Sequence, residues 1–180
     1  MKENRINRVG RPSKEGADKL SGVSFLLSVV VLLGLLLLIA ITVVAGVIVY
    51  DMSEYIVSLP DYVYLAHMQI PVLIFCEAIL VLFIAAFILM IPFFIKVIRK
   101  QFYTQKSIFL IRLIGLCFYL MVLPAVALVL YTEANVPASI TNLYVCAGII
   151  IAVVIGSIFW LFAALIQEGR HYKEENELTI

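Results

Sequence analysis

The sequence predicts an all-α membrane protein: four transmembrane helices in an up-down-up-down bundle, with both termini cytoplasmic. Three observations carry this expectation. Of the 180 residues, 64% are hydrophobic and 14% charged, whereas a soluble domain runs at about half and a quarter. The apolar residues run together, with no charge between Lys19 and Asp51 and none between Glu133 and Glu168. The cationic residues, finally, are confined to alternate connections. Together these exclude a soluble globular enzyme, a disordered chain and a disulfide-stapled secreted module.

Residues 1–20 are expected to form a flexible basic arm, since they show no apolar periodicity. Attraction to anionic lipid and the setting of topology account for its charge. Gly10-Arg11-Pro12 lacks the preceding Arg of a minor-groove hook, and no direct nucleic-acid contact is expected. A crossing of about 30 Å takes roughly 20 apolar helical residues. Four stretches within the domain 21–167 qualify, at about 23–50, 70–95, 113–131 and 143–167. The first is about twice the 7–15 residues of a secretory signal's apolar region, and it reads as a retained anchor. The first outer connection, Asp51 to Gln69, has room for a short interfacial helix anchored by Tyr55, Tyr62 and Tyr64. Pro60, Pro71 and Pro137 are placed in or beside the outer connections, whereas Pro92 and Pro124 should kink spans two and three. Lys106 and Ser107 mark the start of the third helix, with Ser107 as its cap. Residues 168–180 form a charged tail continuing the fourth.

Orientation follows from Lys and Arg in the short loops. Lys2, Arg5, Arg8, Arg11, Lys14 and Lys19 precede span one. Lys96, Arg99, Lys100, Lys106 and Arg112 connect spans two and three, and Arg170 and Lys173 follow span four. The two remaining connections hold only acids: Asp51, Glu54, Asp61 and Glu133. A multi-pass protein of a bacterial cell membrane with cytoplasmic ends is the expectation. Tyr50, Tyr55, Tyr62, Tyr64, Tyr131 and Tyr144 cluster at the outer ends, where a ring keeps its hydroxyl wet.

Glu77 is the one ionisable residue deep in a span, and Thr42 lies at comparable depth in span one. A charge there costs roughly 2.5–3.5 kcal/mol on insertion scales, so Glu77 should face the bundle interior. One reading is a proton- or cation-coupled site. The other is a neutral carboxyl hydrogen-bonded to a neighbouring helix. His67 and His171 fall on opposite sides of the membrane, and no metal-protease motif, nucleophile elbow or phosphate loop is present. Neither an enzyme nor any metal or cofactor is expected. Cys76, Cys117 and Cys146 lie within spans and form no C-x-x-C pair. Gly148, Ala152 and Gly156 put small residues on one face of span four, for packing within the chain or between copies in a homo-oligomer. Thr42 and Gly46 are a shorter version in span one.

The inner loop carries Tyr103-Thr104 and then Ile111-Arg112-Leu113-Ile114-Gly115. The tail carries Gly169, Glu174, Glu175, Leu178, Thr179 and Ile180. Together they resemble the bacterial membrane family known as domain of unknown function 2975 (YoaS-like proteins). Its loop typically reads proline-Phe-Ser/Thr followed by Leu-Arg-x-Ile-Gly, and its tail Gly-x-x-Leu-x-Glu-Glu-x-Asp-x-Thr-Ile. This chain has Phe102 for the proline, Tyr172 for the tail Leu and Glu177 for the Asp. The resemblance implies four spans with cytoplasmic ends. It also implies a cytoplasmic transcription regulator as partner, because genes of this family often neighbour one for a small helix-turn-helix regulator.

Two functional expectations follow. The first is a non-enzymatic module in the lipid bilayer whose inner loop and tail engage a cytoplasmic partner. Its candidate contacts are Tyr103, Thr104, Arg112, Gly115, Gly169, Glu174, Glu175, Leu178, Thr179 and Ile180. The alternative is a small transporter or toxin-immunity protein that uses Glu77.

Overall fold

The computed structural model describes residues 14–99 and 104–177. Four long helices account for nearly all of them: α1 (Lys14–Ser58), α2 (Ala66–Ile98), α3 (Gln105–Asn135) and α4 (Ile140–Glu177), with a 3-10 helix at Pro60–Leu65. All four are long and apolar enough to cross a membrane.

The boundaries differ from expectation in instructive ways. Lys14–Leu20 of the supposedly flexible arm are the first turns of α1, and α1 also runs through Asp51 to Ser58. Nothing between those points breaks a helix, and polarity alone does not end one. The interfacial helix expected in the first outer connection is the 3-10 segment, opened by Pro60 at its first position. Pro71 is not in a connection. It lies inside α2, as Pro92 does, because α2 begins at Ala66. His67, expected in a loop, is in the first turn of α2, where Nδ1 donates to the Tyr64 carbonyl at 2.9 Å. The cap of α3 is Thr104 rather than Ser107. Thr104 has the extended backbone of a capping residue (φ −91°, ψ 148°), and its carbonyl accepts from Ser107 N at 2.9 Å. Ser107 is fully buried in the first turn, with its hydroxyl 2.9 Å from that of Thr104.

The helices stand antiparallel in sequence order, each packed on the next. Among the described residues α1 packs on α2 and the 3-10 helix, and its backbone meets neither α3 nor α4. The core belongs to α3. Ile108, Ile111, Ile114, Cys117, Phe118, Met121, Ala125 and Leu128 are all buried, a stripe at three- and four-residue spacing. Phe118 joins three helices, stacking on Phe159 of α4 at 5.8 Å and meeting Phe83 of α2 edge-on at 6.0 Å. By contrast α1 exposes leucines and valines on most of its circumference, as a helix surrounded largely by lipid should.

The α3–α4 turn is closed by one carboxylate. Glu133 Oε2 accepts from Asn142 Nδ2 at 2.6 Å and Oε1 from Ala138 N at 3.1 Å. Ala138 has a left-handed backbone (φ 59°), which costs a residue with a Cβ about 1–2 kcal/mol.

Candidate functional site

Three places in this array gather polar side chains. The first is at the cationic end, where α2 leaves and α3 and α4 are cross-braced. Arg112 Nη2 donates to Gln167 Oε1 at 2.7 Å, and Arg170 Nη1 donates to Gln105 Oε1 at 2.6 Å. The Arg112 guanidinium also lies 5.9 Å from the centre of the Trp160 ring, a cation–π contact. Its aliphatic stem therefore crosses apolar surface while its head is held at the helix end. Beside the braces a cleft of about 600 Å³ is lined by Gln105, Ala164, Gln167, Glu168, Arg170 and His171. Lys96, Arg99 and Lys106 lie at the same end.

Of the residues expected to meet a partner, Thr104 and Arg112 are exposed at this end and Gly169 is half-buried within α4. Glu174 and Glu175 belong to the last turns of α4. Tyr103, Leu178, Thr179 and Ile180 lie outside the described residues. Gly115 is not part of this surface. It is buried against α4, where a methyl group built on it would lie 3.1 Å from Gly156 O and 2.8 Å from Trp160 Cδ1. The Ile111-to-Gly115 motif is thus explained mainly by packing: Ile111 and Ile114 are core, Gly115 admits α4, and Arg112 braces it.

The small-residue face of α4 divides in the same way. Ala152 and Gly156 are buried, and Gly156 faces Gly115 O. Gly148 has nothing within 4 Å of its missing side chain and takes no part in packing. Sequence reasoning missed Tyr119 and Ser157, which complete this seam. Ser157 donates to Val153 O at 2.8 Å, so Tyr119 is the donor in their 2.9 Å pair. Their signal was a Tyr and a Ser inside otherwise apolar spans.

The second place is a cleft of about 350 Å³ between α1 and α2, which brings Glu77 and Thr42 together with Gly46 and Tyr50. Thr42 donates to Leu38 O at 2.8 Å, leaving its oxygen as an acceptor only. The half-buried Glu77 carboxyl has no hydrogen-bond partner among the described residues. It faces α1 rather than the α2–α3–α4 core, because a methyl on Gly46 would lie 3.4 Å from Oε2 and 3.5 Å from Oε1.

The third is a cavity of about 430 Å³ at the acidic end, walled by Met68, Val72, Leu128 and Val145 and rimmed by Ser53, Gln69, Thr132 and Asn142. Sequence reasoning did not find it, since its lining comes from all four helices. Among the described residues no group of three His, Cys, Asp or Glu side chains could hold a metal ion.

The fold and these sites define a multi-pass helical membrane protein whose polar groups gather at the helix ends, in one intramembrane cleft and at the Tyr119–Ser157 pair in the α3–α4 seam. A family model described as a protein of unknown function (DUF2975) matches residues 58–180, which take in α2, α3 and α4. The chain belongs to that family. No curated protein and no solved structure matches it.

Proposed function

We propose that the protein is a non-enzymatic membrane module presenting its cationic end, the α2–α3 connection with the C-terminal tail, to a cytoplasmic partner such as a helix-turn-helix regulator. The observation that supports this best is the cross-bracing of α3 and α4 by Arg112–Gln167 and Arg170–Gln105. Two segments remote in sequence are thereby held as one surface, which lowers the ordering cost of binding. The sorting of Lys and Arg favours the cytoplasm for that end and for both termini. Glu174, Glu175 and Glu177 continue α4 beyond the braces and offer charge complementary to a basic regulator.

The experiment is capture of a purified small helix-turn-helix regulator on membranes bearing the full chain. A variant deleted for Glu174 to Ile180 and an Arg170→Ala variant should both capture less. Equal capture by both variants and the full chain would overturn the reading.

A further inference from the structure

We propose that the α1–α2 cleft is a binding site for a lipophilic organic cation that enters sideways from the bilayer. This is independent of the partner-binding reading, which uses the other end of different helices. Glu77 stands eleven residues into α2, about 16 Å along the helix axis. Among the described residues its carboxylate has no ion-pair or hydrogen-bond partner. The next cationic side chain on its own helix is Lys96, 19 residues or about 28 Å further on, and α1 has none between Lys19 and Asp51.

The cleft has room for an occupant. Its volume of about 350 Å³ falls within the roughly 300–1,000 Å³ of small-molecule sites. The space beside the carboxylate exists because position 46 is glycine. Val43, Val47, Leu80, Val81 and Ile84 form apolar walls. Of these Val43, Val47 and Val81 are 51%, 57% and 60% exposed, so the opening faces lipid rather than the core. Tyr50, two turns from Thr42 on the same stripe of α1, supplies an aromatic face of the kind that attracts cations.

The class of ligand follows from what the lining satisfies. An anion finds no donor charge, and a neutral apolar molecule leaves the carboxylate unpaired in a medium where that is costly. A hard divalent cation such as Ca2+ or Mg2+ takes six or more oxygens, and the cleft's side chains offer only the carboxylate and the Thr42 and Tyr50 hydroxyls. A delocalised positive charge in an apolar skin pairs with Glu77 and fills the groove.

The test uses the full-length chain in nanodiscs of zwitterionic lipid and tetraphenylphosphonium as probe, with triphenylphosphine oxide and tetraphenylborate as neutral and anionic counterparts. Wild-type protein should take up the cation saturably and neither counterpart. Glu77→Gln should weaken uptake by about tenfold or more, as loss of one partner of a desolvated pair does. Gly46→Leu, which keeps the acid but fills the groove, should do the same. Glu54→Gln, at the exposed acidic end, should leave uptake unchanged, and circular dichroism verifies the helical content of each variant. The proposal is overturned by uptake insensitive to both cleft variants, or by equal uptake of the three probes. It is also overturned by a wild-type chain that takes up no cation because a second copy covers this face.

Discussion

Helices α3 and α4 approach closely where Gly115 faces Gly156, and substituting Gly115, Gly156 and Gly148 one at a time gives a graded test. A methyl on Gly115 would lie 2.8 Å from Trp160 Cδ1 and 3.1 Å from Gly156 O. The ring can turn aside, but the carbonyl belongs to a helix backbone, so α4 must move by several tenths of an ångström. Overpacking of this kind costs about 1–3 kcal/mol, set against a gain of about 1 kcal/mol in helix propensity from Gly to Ala. Gly115→Ala should therefore destabilise by up to about 2 kcal/mol. On Gly156 the methyl meets Gly115 O at 3.3 Å and the Tyr119 ring at 3.4 Å, contacts that yield with a small shift, and the two terms nearly cancel. On Gly148 it meets nothing within 4 Å, and Gly148→Ala should stabilise by up to about 1 kcal/mol. Unfolding in mixed micelles, followed by fluorescence, measures all three. The chain has one tryptophan, Trp160, and it lies over Gly115. Gly115→Ala should also shift its emission in the folded state. Equal stability of the Gly115 and Gly148 variants would refute the packing argument.

The α3–α4 turn supplies two further expectations. Ala138→Gly should raise stability by up to about 1 kcal/mol, read in the same unfolding assay, because a left-handed residue loses its Cβ penalty. Glu133→Gln should lower it by about 1 kcal/mol, since an amide cannot accept from both Ala138 N and Asn142 Nδ2. For orientation, single cysteines at Glu54 and Lys106 in a chain with its three native cysteines changed to Ser should differ in intact cells. A membrane-impermeant maleimide is expected to label Glu54→Cys and spare Lys106→Cys, and the reverse pattern would invert the topology.

What was legible in the sequence was whatever depends on the run of apolar residues and on charge sorting. Helix number, antiparallel order and the isolation of Glu77 come from those alone. Partner choice among helices does not. A lipid-facing leucine and a core isoleucine are equally apolar, so nothing in the composition of α1 announces that, among the described residues, it packs on α2 and the 3-10 helix but not on α3 or α4. Nor does spacing separate Gly148 from Gly156, which share a face but differ in what lies opposite. The helices run on past the expected spans: Asp51 continues α1, and Ala66 opens α2 ahead of Pro71. The motif around Arg112 drew attention for the right residues, but Gly115 serves α4 rather than a partner.

The two readings of Glu77, structural and functional, make opposite predictions about stability. A carboxyl that holds α1 to α2 needs an acceptor or donor on α1. The polar side chains of α1 that line its cleft are Thr42, whose hydrogen is committed to Leu38 O, and Tyr50, and among the described residues neither is hydrogen-bonded to the carboxyl. The carboxyl's desolvation is therefore uncompensated by α1, and the penalty reaches about 2.5–3.5 kcal/mol for a charged side chain at a helix centre. Residues that serve a site at the expense of the fold gain stability when removed. Glu77→Leu, which matches the apolar walls formed by Val43, Val47 and Leu80, should unfold at or above the wild-type midpoint while α1 and α2 stay packed. A loss of 1 kcal/mol or more would mean that the carboxyl tethers the two helices, and would remove the energetic reason for assigning it to a ligand.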